Sequence, residues 1–233
     1  MKIKSIYFLV LTLQISVNSF AQDNERKFNI HTLAFYNLEN LFDTINDVNK
    51  NDEASPIMEI KFNRSGIYKQ KITNMAKVIS EIGYEVTKRP PSIVGICEVE
   101  NRKVVEDLIS NEKLENHNYG IVHYESPDDR GIDVGLIFNK DVFEVKNSNS
   151  HDVFITGNNS NKRRNTRDQL VVTGLLDGDL IHIIVNHWPS RGADETKRIA
   201  AAEVNNLIID SLRNIHNNAK IITMGDFNDD PFD

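Results

Sequence analysis

The stretch Ile221-Ile222-Thr223-Met224-Gly225-Asp226-Phe227-Asn228-Asp229-Asp230 decides how this chain is read. Its first four residues have the apolar character of a short buried strand. Glycine then lets the backbone turn, so that a carboxylate (Asp226) and a carboxamide (Asn228) emerge at the strand's C-terminal mouth. Two positions apart, they point the same way in extended geometry. Such an oxygen-rich pair suits a hard divalent cation or a polarised phosphate, and does not suit zinc or copper. Taken alone, Asp-x-Asn after a strand is more often a turn closed by side-chain-to-backbone hydrogen bonds. Three upstream stretches raise its weight.

Each of them is an apolar run that releases polar groups at its end. Phe28 to Phe35 has the alternation of a strand and leads into Asn37 and Glu39. After Pro90-Pro91, the nearly continuous apolar run Ser92–Cys97 predicts a central strand covered on both faces and delivers Glu98. Gln169 to Leu176 and Leu180 to Asn186 form a hairpin around Asp177-Gly178-Asp179, closing on Asn186, His187, Trp188 and Arg191. Singly, Asn37 reads as a strand-end cap, Glu98 as an exposed strand end and His187 as a packed histidine. In a layered α/β protein, however, strand mouths gather on one edge where ligands bind. Carboxylates brought together there repel unless a cation neutralises them. Oxygens and one histidine favour magnesium or manganese, with calcium also compatible.

Between these runs the pattern changes period. Ile72, Met75, Ala76, Ile79 and Ile82 share one face of a helix over Gly66 to Ile82, with Gly83 as its stop. A short helix is expected over Val104 to Ile109. A longer one is expected from Ala193 to Arg213, with Val204, Leu207, Ile208, Ser211 and Leu212 inward. Tyr119–Tyr124, Asp133–Phe138 and Val142–Val145 read as strands. Asp47 to Asn63, and the asparagine-rich Asn147 to Asn165, read as loops, the latter running into the basic Lys162-Arg163-Arg164 and Arg167. Helix crossovers mixed with hairpins predict mixed sheets with helices outside them, in one domain.

At the N-terminus, Lys2 and Lys4 precede an apolar stretch from Ile6 to Val17 and then Ser19-Phe20-Ala21. This is the pattern of a secretory signal over residues 1–21, too short and wrongly flanked for a membrane span. It predicts a product exported to the periplasm or the extracellular space. No cysteine follows the apolar stretch, so no lipoprotein anchor is expected. Cleavage leaves residues 22–233, enough for one domain with a sizeable core. Of 27 basic residues two leave with the signal, so 25 face 34 acidic ones, a formal charge of −9. Bulk charge therefore does not drive binding to polyanions, and an anionic substrate needs a local site. Cys97 is the only cysteine, which excludes an internal disulfide and reads as a small core residue. No oligomeric state is implied.

Five stretches together resemble the endonuclease/exonuclease/phosphatase, or DNase I-like, family. They are Asn37-Leu38-Glu39-Asn40-Leu41-Phe42-Asp43, Ile96-Cys97-Glu98-Val99-Glu100-Asn101, Arg130-Gly131-Ile132-Asp133-Val134-Gly135-Leu136, Asn186-His187-Trp188-Pro189-Ser190-Arg191 and Gly225-Asp226-Phe227-Asn228. They occur in the family's order from Asn37 to the end of the chain.

The resemblance implies a four-layer α-β-β-α sandwich of two mixed sheets, and a metal-dependent hydrolase of phosphate esters such as a phosphodiesterase or endonuclease. Glu98 would be the principal metal ligand, helped by Asn37 and Glu39. Asp226 would orient or deprotonate the attacking water, Asn228 would hold the phosphate, and His187 would contact a phosphate oxygen and, as imidazolium, stabilise the transition state or protonate the leaving group. Asn186, Arg191 and Arg167 are candidates for substrate binding, with nucleic acid among the substrates considered. A lipid phosphodiesterase, a sugar or inositol phosphatase, and a non-catalytic binding domain are the alternatives. Family members continue past Gly-Asp-Phe-Asn into further strands and an Asp-His pair, which this sequence, ending at Asp233, does not contain. The expectation is an exposed edge on the second sheet and impaired catalysis.

Overall fold

The computed structural model describes residues 28–157 and 160–230. The leader read over residues 1–21 lies outside them. In chain order come β1 (Leu33–Leu41), α1 (Pro56–Glu59), α2 (Arg64–Glu81), α3 (Tyr84–Thr87), β2 (Ile93–Val99) and α4 (Arg102–Ile109). Then follow β3 (Tyr119–His123), β4 (Asp133–Asn139), β5 (Phe143–His151), β6 (Ile155–Gly157), β7 (Ser160–Arg164), β8 (Gln169–Leu176), β9 (Asp179–His187), α5 (Glu195–Ile215) and β10 (Lys220–Asp226).

Alternation along β2 sets the layering. Val94 and Ile96 point outward into a cluster with Ile72, Met75 and Ile79 of α2 and Val104 and Leu108 of α4. Ile93 and Cys97 point the other way, against Leu170 and Val172 of β8 and Ile181, Ile183 and Val185 of β9. On the far side of that second sheet, Val171 and Ile184 pack on Ile208 of α5. The result is helix, sheet, sheet, helix. Full burial of each such Ile, Leu or Val contributes about 1.5–3 kcal/mol. Cys97 is wholly buried between the sheets, and burial pushes its thiol pKa up, so it serves as a small apolar residue.

Strand order is β1-β2-β4-β3 in one sheet and β10-β9-β8-β5 in the other, and both are mixed. β1 and β2 are parallel, as are β9 and β10, while the remaining pairs are antiparallel. Each parallel pair is joined by a helical crossover, and so the C-terminal ends of β1, β2, β9 and β10 open on one side. Among the described residues β10 is an edge strand.

Several expectations need correction. The first strand begins at Leu33 rather than Phe28, because pairing with β2 starts only at Leu33 opposite Ile93; Phe28 and Ile30 remain exposed. The acidic segment 47–63 is not all loop, since α1 buries Ile57 against Phe42 and Ile132. β5 runs on through polar residues to His151, paired with β8, and a β6–β7 hairpin follows where a loop was expected. A backbone ladder does not require apolar side chains, so polar sequence conceals such strands. In α5 the inward stripe is Lys197, Ala201, Asn205 and Ile208, with Leu207 and Ser211 exposed.

Candidate active site

Parallel pairing sets Asn37 beside Cys97 on one sheet, and His187 beside Asp226 on the other. Packing of the two sheets then brings these ends together. Asn37 Nδ2 donates to Asp226 Oδ2 at 3.1 Å. Glu98 is reached through a bulge: pairing with β4 shifts register between Cys97 and Val99, and Glu98 itself has a left-handed φ of 59°. For a non-glycine residue such a conformation costs on the order of 1–3 kcal/mol, and it concentrates at functional sites. Without it, alternation would send Glu98 toward the helices with Val94 and Ile96. Instead Glu98 Oε2 accepts from the Asn40 amide at 2.9 Å, and Oε1 lies 3.7 Å from His187 Nε2. Asn228, also left-handed, donates its backbone N–H to Asp226 Oδ1 at 3.0 Å and its Nδ2 to the Trp188 carbonyl at 3.0 Å.

Glu98, His187, Asp226 and Asn228 all line one cleft of about 520 Å³. Among the described residues, neither Glu98 nor Asp226 has a lysine or arginine ion-pair partner. Lys71 is near enough to feel the Glu98 charge, but its Nζ binds the carbonyls of Glu39 and Asn40. Two carboxylates facing one cleft without an ammonium or guanidinium between them form a donor set that fits a hard divalent cation.

His187 is buried, and its Nδ1 has no partner among the described residues. Burial, with the charges of Arg167 and Arg130 adding, pushes its pKa down to about 2. Burial and these two cations favour the neutral imidazole.

The remaining expected residues separate. Arg167 lines the cleft, but its guanidinium is held by Asp128 (3.1 Å) and by the carbonyls of His187 (3.2 Å) and Trp188 (2.6 Å), so it fixes the end of β9. Asn186 is fully buried on the α5 side. Its Nδ2 donates to Thr223 Oγ1 at 3.0 Å, and its Oδ1 accepts from Trp188 Nε1 at 3.1 Å. A substrate-binding role does not match that position. Arg191 lies on the rim, paired with Asp230 at 2.8 Å. Glu39 is exposed in the β1 bulge, with Asn37 Oδ1 accepting its backbone N–H at 2.8 Å. Asn37 and Glu98 thus stand at the ends of neighbouring strands, while the Glu39 side chain is exposed.

Other groups escaped the sequence reading. Arg130 and Lys197 line the cleft. His123, Glu125 and Asp133 offer ligand atoms within 4.8 Å of one another. There Asp133 is wholly buried and accepts from Ser126 N and Oγ and lies 3.1 Å from His123 Nε2, while Glu125 pairs with Lys50. That group ties the turn between β3 and β4. No periodicity announces it, because its partners meet only through that turn.

The chain belongs to the endonuclease/exonuclease/phosphatase family, whose model matches residues 32–233. No curated protein sequence matches. Among solved structures, a functionally unknown conserved protein from Enterococcus faecalis V583 superposes with a TM-score of 0.54 at 14% identity, covering 85% of this chain and 67% of that one. ANGEL2, a 2′,3′-cyclic phosphatase, gives 0.53 at 17% identity, covering 69% and 44%. Truncated TDP2 from Caenorhabditis elegans gives 0.51 at 18% identity, covering 70% and 56%. These likenesses establish the fold, and the matched chain spans about half the length of the last two structures.

Proposed function

We propose that this protein is an exported, divalent-metal-dependent phosphodiesterase. The observation that carries the reading is the approach of Glu98 and Asp226 on one cleft, without a basic partner for either, beside Asn37, Asn228 and a neutral His187. Glu98 with Asn37 would hold magnesium or manganese. Once bound, the ion supplies charge neutralisation at the phosphoryl oxygens.

The chain's own residues account for the rest. Asp226, oriented by Asn37 and by the Asn228 amide, is placed to align an attacking water and accept its proton. Asn228 and the neutral His187 offer hydrogen bonds to phosphoryl oxygens, Asn228 by exchanging its bond to the Trp188 carbonyl. In-line attack then expels the ester oxygen. Export is supported by Lys2, Lys4 and the apolar run that follows them.

The test is hydrolysis of plasmid DNA and bis(p-nitrophenyl) phosphate with magnesium, manganese or EDTA, beside Glu98→Gln. Calorimetric titration of both proteins with manganese accompanies it. Cleavage and manganese binding should both be lost in Glu98→Gln. Undiminished manganese binding by the variant, or cleavage that persists in EDTA, would overturn the reading.

A further inference from the structure

Lys197 stands apart from every other cation around the cleft. It lies on the first turn of α5, is only 6% exposed, and lines the cleft that holds Glu98 and Asp226. Yet among the described residues its ammonium makes no hydrogen bond and no ion pair. The other basic side chains nearby are engaged: Arg167 has three partners, Arg198 binds Asp229 at 3.1 Å, and Arg191 binds Asp230. Asp194 feels the Lys197 charge, but it caps α5 by accepting from Thr196 N at 3.0 Å and Thr196 Oγ1 at 2.5 Å.

The side chain is packed along its stem, and its ammonium opens on the cleft without a partner among the described residues. A cation in the first turn of a 21-residue helix also faces the positive end of the helix dipole. That repulsion is offset if an anion sits there, drawn by the ammonium and balancing the dipole. The cleft, at about 520 Å³, is also larger than a single phosphate requires.

We infer that Lys197 and the N-terminal turn of α5 form a subsite for a second phosphoryl group, carried by the substrate next to the ester that is cleaved. The inference rests on the phosphoester reading of the site. It makes Lys197 a specificity-determining residue: esters with a second phosphate are preferred over those with one. The second phosphate belongs either to an adjoining nucleotide or to a small bisphosphate.

Trp188, the single tryptophan, packs edge-on to Phe227 at 4.8 Å beside the site and reports binding without turnover. Its fluorescence is titrated in calcium with dithymidylate with and without a 5′-phosphate, and with glucose 1,6-bisphosphate against glucose 1-phosphate. The wild type should bind the second-phosphate member of at least one pair ten-fold or more tightly, and the pair that responds identifies the source. Lys197→Met should abolish that preference and melt at or above the wild-type temperature, while Lys197→Arg should keep it. Equal affinities within both pairs in the wild type, or an intact preference in Lys197→Met, would overturn the inference. So would a melting temperature lowered in Lys197→Met, which would mark the lysine as structural. Loss of manganese binding or hydrolysis in the wild type would instead count against the catalytic reading and leave this preference untouched.

Discussion

Asn37 Nδ2 donates to Asp226 Oδ2 at 3.1 Å, tying the end of β1 to the end of β10 and one sheet to the other. The bond spans 189 positions of sequence. It orients the carboxylate whose second oxygen is held by the Asn228 amide. Asn37→Asp replaces that donor with an acceptor and sets two carboxylates about 3 Å apart, a like-charge contact of about 1–2 kcal/mol. The variant should melt roughly 2–8 °C lower in EDTA and regain more than the wild type does on adding magnesium. A melting temperature indifferent to both would show that no cation serves this pair.

Asn186 is a structural residue by its contacts. Asn186→Ala removes bonds to Thr223 and Trp188 from a fully buried position and leaves the Trp188 Nε1 donor unpaired. The expected cost is about 2–4 kcal/mol, seen as a melting temperature roughly 5–15 °C lower. Full stability with reduced substrate affinity would return Asn186 to the binding role.

Gly225 lies opposite Asn186 where β10 meets β9. A Cβ built there would come within 2.3 Å of the Asn186 carbonyl oxygen, a backbone atom that cannot swing aside. Gly225→Ala should push β10 away, displace Asp226 and lower both melting temperature and hydrolysis, more than ten-fold for the latter. Unchanged kinetics would mean that the β9–β10 spacing does not position the carboxylate.

His182 carries a pH dependence. It is buried, with Nδ1 2.8 Å from Thr173 Oγ1 and its ring stacked on His216 at 5.4 Å. Burial, and then the charge of His216, hold its pKa below the ordinary 6.5. Below that value the unfolded chain binds the proton and the folded one resists it, so stability falls as the pH drops through 6.5. His182→Gln should lose less stability than the wild type in urea titrations between about pH 7.5 and pH 5.5. Parallel losses in the two proteins would rule His182 out.

Glu98, Asp226 and Asn228 are legible in the sequence because each ends an apolar run, and such ends converge in layered α/β proteins. Lys197 was not. A lysine in a polar helix start reads as solvated, and only the seating of Ala201 against Val153 and Ile155, and of Ile208 on the second sheet, turns it inward. Arg167 misleads for the opposite reason. A basic run suggests a mobile grip on phosphates, yet its guanidinium is fixed by carbonyls 20 and 21 positions away.

Alone, the sequence determined the kind and order of the main elements, the faces that meet in the core and the strand ends that carry chemistry. Those follow from local periodicity, since a side chain's face depends on its neighbours a few positions away. The tertiary structure decided which polar groups touch, which charges are paired and which are left open to the cleft. It set the left-handed turn at Glu98, the burial of His187 beside Glu98 and the placement of Lys197 on the cleft. Each depends on the packing of two sheets and a helix from distant parts of the chain, and so on distances that no local pattern encodes.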